Sequence, residues 1–416
     1  MNSGKIAYNL EFLPTYVFRE IMELSSRGFK IDVFLPRSAS RSSLWLDIIP
    51  KHRLMEAVAV RQTESSLFLT CSIPSLATLF FKECFIVFLR NPVRFCRSAF
   101  LSLKNRSFRY FLMGASLAGI IGKDTRLIHS HFAKTAAFAA MWAGKLLHIP
   151  FTLTTHAIDI FVPDREELVK FMLEEADRIF TISSFNRNYI ADRYGDILKQ
   201  KISVTYLGID FTSLPVRSET ADSVPTVLCT ASGLKEKKGV SVLVEACRIL
   251  IDRNVNYTCK IIGSDTEGVL LRKYRHEMEE LGIADHLEFT GLLSSDEVME
   301  LLATADVFIL PAIRAENGDM DGIPVSLMES MAVGVPTVST PLSGIPELIE
   351  NMKDGMLVSS GSPAELADAI EKLLLNRKFA EELGKRGSEK VRSKFNVKSY
   401  TDTLLDNWSE YLSPEN

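Results

Sequence analysis

The chain has 416 residues, 46% hydrophobic and 24% charged, with 48 basic against 52 acidic side chains and a formal net charge of −4. That length points to two or three domains, and the composition excludes disordered and fibrous classes. The slightly acidic balance argues against a dedicated nucleic-acid binder, and six scattered cysteines without a CxxC pair argue against a zinc site or a disulfide framework.

Residues 5–10 read as a strand, 16–26 as a helix closed by Gly28, and 31–35 as the next strand. This is a βαβ unit, which implies parallel strands. The first residues lack the basic and apolar regions of a signal peptide. No apolar run reaches the roughly 18 residues of a membrane span; the nearest, 67–89, is broken by Pro74, Lys82 and Glu83. A chain that is soluble or lies on a membrane is therefore expected.

Residues 85–112 hold Arg90, Arg94, Arg97, Lys104, Arg106 and Arg109, no acid, and six phenylalanines. The preferred reading is a surface on anionic lipid, with rings inserted and cations at headgroup level. The alternative is an ordinary amphipathic helix with solvated cations and phenylalanines in the core.

Alternation returns at strand 126–130, a helix near 133–147, and strands 151–155, 178–182 and 202–206. Residues 208–225 carry Ser, Thr, Asp and two prolines without periodicity, and read as a linker. A second set follows, with strands 226–229, 258–262, 287–290, 307–310 and 336–339 and helices 240–253, 270–281, 295–303 and 325–332. The class is α/β: two doubly wound domains facing across a cleft, with ligands beyond the carboxyl ends of the strands. The domains are placed at 1–210, including the basic aromatic segment 76–112, and at 211–394. A final helix, 395–416, is expected to return to the first domain.

The richest chemistry lies in 319–344, DMDGIPVSLMESMAVGVPTVSTPLSG. A flexible acidic loop leads into a short helix whose first N–H groups suit phosphate oxygens. Pro324 has no N–H, so Val325 and Ser326 are the backbone donors. Glu329, four residues on and on the same face, suits ribose hydroxyls, and Asp321 suits sugar hydroxyls. The bland reading is a surface loop ending in a prolyl turn. In TASGLKEKKG, 230–239, Lys237 and Lys238 taken alone read as a solvated turn, and the spacing is not a Walker A loop.

The two acids with seven residues between them, with GIP and then ESMAVGVPTVST, resemble the signature of family 4 of the retaining, nucleotide-sugar-dependent glycosyltransferases. The resemblance implies the GT-B fold, two Rossmann-like domains with the donor held mainly by the second. It implies roles residue by residue. Lys238 falls where the family places a diphosphate-binding Lys, while the accompanying Arg falls on Gly233, a departure that Lys235 or Lys237 would have to make good. Asp321 stands where the family usually has Glu. His156 in TTHAID faces the donor sugar in the family. His129 and His131 resemble its H-x-H-F stretch, on the acceptor side or structural. Gly208 in YLGID lets backbone approach the donor, and Ser184 in ISSFNR matches a position near the cleft. Gly322 belongs to the acidic loop, and base selection uses backbone near Gly263, Gly291 and Leu292.

The resemblance is firm for 126–395, weak for 1–60 and absent for 60–115. The family's Gly-Gly loop is replaced by NLEFLPT at 9–15. Among its members the chain looks most like enzymes of exopolysaccharide assembly, colanic acid type, with lipid-linked acceptors. His156, Lys238 and Asp321 are thus the expected catalytic residues, with no metal and no cofactor beyond the nucleoside-diphosphate sugar itself. The expected partners are that donor, a glycan or lipid-linked acceptor and an anionic membrane surface, with no nucleic acid. The expected place is cytoplasmic, peripheral on the inner face of the cell membrane. Asp319-Met320-Asp321 spells a D-x-D, a metal sign of the other glycosyltransferase fold, but it sits too late in a two-domain chain. The rival functions are a GT-B epimerase or phosphorylase and a non-catalytic partner subunit.

Overall fold

The computed structural model describes residues 5–36, 58–63, 74–212, 214–218, 224–265 and 267–413. Their contacts divide the chain into two compact units. One holds Met1–Ile182, Asn186–Gly208 and Val397–Asn416; the other holds Ser183–Phe185 and Ile209–Asn396.

The first unit is built on a seven-stranded sheet. Its strands are β1 (Lys5–Asn9), β2 (Ile31–Pro36), β3 (Val58–Thr63), β4 (Thr125–His131), β5 (Phe151–Thr155), β6 (Arg178–Thr181) and β7 (Ile202–Val204), in the order β3-β2-β1-β4-β5-β6-β7. Every pairing is parallel. The near-continuous apolar runs of these strands fit burial on both faces. Helix α1 (Thr15–Ser26) crosses between β1 and β2. Helices α2 (Pro74–Arg90), α3 (Pro92–Lys104) and α4 (Phe108–Ile120) occupy the basic aromatic segment. Gly114 of α4 permits a close approach to α5 (Thr135–Leu147): a Cβ there would stand 2.4 Å from Cβ of Trp142. Next come α6 (Ile158–Phe161), α7 (Glu166–Glu175) and α8 (Ser184–Tyr194).

The second unit has β8 (Thr226–Thr230), β9 (Thr258–Ile262), β10 (Leu287–Gly291), β11 (Val307–Ile309), β12 (Thr337–Ser339) and β13 (Met356–Leu357), in the order β10-β9-β8-β11-β12-β13. These too pair only in parallel. Its helices are α9 (Val240–Asp252), α10 (Val269–Glu280), α11 (Ser295–Thr304), α12 (Val325–Val333), α13 (Ile345–Leu348), α14 (Pro363–Leu375) and α15 (Arg377–Lys394). Val227, Cys229, Leu243, Val244, Ile261, Ile309 and Leu366 are among the residues of one continuous core. The final helix, α16 (Val397–Leu412), belongs to the first unit and packs on α1. There Arg27 binds the Asp402 carboxylate and donates to the Lys398 carbonyl at 3.1 Å, and Trp408 is fully buried.

Each strand order reverses once, between β1 and β4 and between β8 and β11. In doubly wound sheets such switch points open a crevice beyond the carboxyl ends of the two strands. The loops leaving β1 and β4 in the first unit, and those leaving β8 and β11 in the second, are therefore where each unit's functional side chains should be sought.

Candidate functional site

The loops after β8 and β11 carry a cluster of four charges, Lys237, Asp319 and Asp321 buried and Lys238 half-buried. Lys237 and Lys238 end a short 3₁₀ turn, and Gly239 follows at φ +67, where a Cβ would stand 1.9 Å from the Pro311 carbonyl oxygen. No other residue fits there. The Ile313 N–H donates to the Lys237 carbonyl at 3.0 Å, tying the two loops together. Lys237 Nζ lies 3.0 Å from Asp319 and 3.3 Å from Asp321, and Lys238 Nζ lies 2.7 Å from Asp321. Burial pushes the Asp321 carboxyl up, but the charges and hydrogen bonds of Lys238 and Lys237 outweigh it and hold it below the ordinary carboxylate range. The solvated turn is thus corrected for Lys237, which is buried: its charge is balanced by Asp319, 82 residues away. Asp321, expected to face sugar hydroxyls, gives both oxygens to lysines, as a carboxylate removed from water requires.

Asp321 precedes α12 by four residues, which limits the separation of Asp321 and Val325 to about 14 Å of chain. The N–H groups of Val325 and Ser326 have no acceptor among the described residues, and Pro324 offers no side-chain cap. They are the orphan donors of a helix start. Gly322 is buried in the same loop, and Glu329 is half-buried one turn into the helix. Gly291 closes β10 and accepts from the Gly263 N–H at 3.0 Å, while Leu292 is 75% exposed. The N–H groups of Ser184 and Phe185 donate to the Glu347 carboxylate, each at 2.9 Å. Lys238, Asp321, Gly322, Val325, Ser326, Glu329, Gly291, Leu292 and Ser184 therefore share the second unit, whereas His156 and Gly208 belong to the first.

His156 follows β5 and is buried, its ring 4.2 Å from that of Phe132 and 5.1 Å from that of Tyr16. The buried Asp159 carboxylate fixes its backbone. It accepts from the N–H groups of His156 at 3.1 Å, Ala157 at 2.9 Å and Ala133 at 2.9 Å, so one side chain ties the turn after β5 to the turn after β4. Asp159 closes the TTHAID motif, and an Asp three residues beyond a strand-end His is the signal of such a side-chain-to-backbone turn.

One grouping among the described residues has metal-ligand spacing: atoms of Glu20, His129 and His131 lie within 4.8 Å of one another. Tyr8 and Tyr400 already donate to the Glu20 carboxylate, and threonine hydroxyls engage both His129 nitrogens. Protein groups fill this position. The five described cysteines are free.

Comparison with known proteins decides the family. The family described as Glycosyltransferase Family 4 matches residues 13–213, and the one described as Glycosyl transferases group 1 matches residues 216–390. The chain belongs to the family 4 glycosyltransferases. Relatives of this glycosyltransferase include WcaL of Escherichia coli K12, whose name assigns it to colanic acid biosynthesis. It is 40% identical over 201 residues, 48% of either protein. The amylovoran biosynthesis glycosyltransferase AmsK of Erwinia amylovora is 36% identical over 47% of this chain and 48% of its own. The chain thus spans about half the length of these curated relatives. Among solved structures, a glycosyltransferase from Rickettsia africae ESF-5 superposes with a TM-score of 0.75 at 16% identity, over 100% of both chains. Anabaena Alr3699/HepE, solved with UDP and glucose, gives 0.72 at 16% over 98% of this chain and 100% of that one. These likenesses establish the GT-B fold.

In this glycosyltransferase the position of the expected arginine, Gly233, has φ +70, and a Cβ there would lie 3.5 Å from the stem of Lys235. Lys235 is exposed, while Lys237 is consumed by Asp319 and Asp321.

Proposed function

We propose that the chain moves a sugar from a nucleoside-diphosphate sugar to a hydroxyl of a lipid-linked glycan during assembly of a surface polysaccharide, with retention at the anomeric carbon. The observation that carries this reading is the lysine–aspartate cluster at the β8/β11 switch point beside the uncapped start of α12. A diphosphate competes well there: it offers Lys238 more oxygen acceptors than Asp321 does, and it satisfies the Val325 and Ser326 N–H groups at the positive end of the helix.

As the anomeric C–O bond to the diphosphate breaks, Lys238 and these N–H groups stabilise the charge that develops on the leaving group. The new C–O bond forms to the acceptor oxygen on the same face, and the acceptor's proton passes to the departing phosphate oxygen. Glu329 orients the ribose. Asp321, released from Lys238, and His156 orient the sugar. The names of WcaL and AmsK support a polysaccharide role.

The basic helices support attachment to an anionic membrane surface. Phe85, Leu89, Val93, Phe100 and Leu103 are exposed, as are Arg90, Arg97 and Lys104. The same helices correct the expected insertion for one ring: Phe111 is fully buried in the core, where it packs on Trp142. No helix among the described residues is long and apolar enough to cross a membrane.

Incubation with radiolabelled UDP-, GDP- and ADP-sugars, with and without a bacterial lipid extract, tests the reading. Label entering the lipid phase from one donor is expected. Epimerised or phosphorolysed donor without transfer assigns the chain to the rival enzymes, and no binding of any nucleotide makes it a partner subunit.

A further inference from the structure

The loop that leaves β1 carries an exposed ring that the proposed reaction leaves without a task. Phe12 is 42% exposed, whereas Leu10 and Leu13, which flank it, are buried and anchor the loop. The strand end behind it is fixed twice: the Asn9 side-chain amide donates to the Ala136 carbonyl at 2.7 Å, and the Ser130 hydroxyl donates to the Asn9 carbonyl at 2.7 Å. Packing of the loop therefore does not depend on Phe12. Its ring lies 5.0 Å from that of Phe132, which follows β4, at an angle of 34°. Phe132 packs in turn on the His156 ring at 4.2 Å.

Phe132 holds an unfavourable backbone conformation. Its φ is +65, a left-handed value that is an outlier for a bulky side chain. The surroundings enforce it. The Phe132 N–H donates to the Thr154 carbonyl at 2.9 Å, the Ala133 N–H to the Asp159 carboxylate at 2.9 Å, and the Lys134 N–H to the Phe132 carbonyl at 2.8 Å. Strain of this kind persists where the fold over-determines a residue, and it clusters at ligand clamps. Here the strained residue is the one against which Phe12 rests.

The neighbourhood of the ring pair is polar. Glu11 precedes Phe12, and Lys134 stands two residues after Phe132. Both are half-buried, and neither charged group has a hydrogen-bond or ion-pair partner among the described residues. Lys134 and Thr135 also line a small cavity with Tyr110, Asp164 and Arg165. These groups discriminate among occupants. A lipid chain would leave a carboxylate and an ammonium desolvated without partners. A pyranose has a face of C–H groups to lay on a ring and a girdle of hydroxyls that donate to a carboxylate and accept from an ammonium.

We propose that Phe12, seated on Phe132, is the stacking platform for a pyranose unit of the acceptor glycan, with Glu11 and Lys134 taking its hydroxyls. The assignment rests on the function proposed above, in which His156 orients the donor sugar; Phe12, one ring removed from His156, takes the sugar whose hydroxyl attacks.

The test is saturation-transfer-difference NMR of the full chain with the methyl α- and β-pyranosides of glucose, galactose and mannose, set beside initial rates against donor and against bacterial lipid extract. Saturating the aromatic protons should pass signal to the ring C–H protons of at least one glycoside. Phe12→Ala, at an exposed position that the fold does not need, should weaken that binding and raise the half-saturating amount of lipid extract by about 3–10-fold, the worth of one ring-stacking contact, with the donor KM within about twofold. Phe12→Trp keeps a ring face and should restore both. No transfer to any of the glycosides in the wild-type protein overturns the proposal, as does a Phe12→Ala protein that binds them as wild type does. UDP or GDP displacing the glycoside signal gives the ring to the nucleotide, and loss of sedimentation with anionic vesicles in Phe12→Ala gives it to the membrane; either result overturns the proposal too. A wild-type chain that transfers no sugar from any donor removes the acceptor role, while the saturation transfer still decides whether the platform holds a pyranose.

Discussion

Replacing the two lysines of the cluster one at a time separates structure from chemistry. Asp321 has two ammonium groups within 3.3 Å, so Lys238→Ala leaves it paired with Lys237. Asp319 is 6% exposed and its ion pair is with Lys237, so Lys237→Ala strands a buried carboxylate. Breaking a buried pair from one side costs about 3–5 kcal/mol. For a unit of this size each kcal/mol is worth about 2–4 °C in Tm, so Lys237→Ala should melt about 6–20 °C lower. Lys238→Ala should stay within about 6 °C of wild type, the cost of one hydrogen bond to a charge being near the low end of its range. Its turnover should nonetheless fall about 10²–10³-fold, as for loss of one donor to the leaving group. The assays are differential scanning calorimetry and initial-rate transfer on the same preparations. A Lys237→Ala protein as stable as wild type would refute the stranded-charge argument. A Lys238→Ala protein whose turnover falls less than about threefold would move the diphosphate contact to Lys237.

Lys235→Ala should raise the donor KM about tenfold, the worth of one charged hydrogen bond, if Lys235 supplies the cation missing at Gly233; an unchanged KM leaves the diphosphate with Lys238 alone. Replacing Arg90, Arg94 and Arg97 together by Glu should release the protein from anionic vesicles, and sedimentation with lipid unchanged from wild type contradicts the membrane reading. Acid should destabilise the first unit over a wide window. Below about pH 6.5 the unfolded chain protonates a histidine that folded His129 refuses until about pH 3, and the stability held by the Glu20 carboxylate is lost as pH falls from its ordinary value of 4.5 through about 2. Glu20→Gln should flatten the lower part of this limb in urea titrations across pH, and a limb confined to the range above pH 5 would contradict the burial argument.

The parallel strands around both switch points were legible because their apolar runs are short, bounded by Gly, Pro and polar clusters, and separated by helices of 3.6 periodicity. The outer strands were not: β3 lies in 58–63, VAVRQT, where no crossover helix precedes it in the pattern, and β13 has two residues. The pairing of Lys237 with Asp319 had no signal at all, because an ion pair between loops 82 residues apart is a property of the strand order and not of local spacing. Nothing local marks Glu20, which stands on an amphipathic helix where a charge is ordinarily solvated. It is buried because β4 and α16, more than 100 residues away, bring histidines and a tyrosine to it. By contrast, Gly239 could be read locally, since a glycine after a Lys-Lys turn at a strand exit marks a left-handed cap.

The most direct measurement of the central claim is isothermal calorimetry of UDP and GDP in EDTA, with wild type and Lys238→Ala side by side. One nucleoside diphosphate is expected to bind the wild-type protein without divalent metal, and to bind Lys238→Ala at least about tenfold more weakly, the equivalent of 1.4 kcal/mol. Binding that requires a divalent cation, or that is equally tight in both proteins, contradicts a diphosphate held by Lys238 and the start of α12.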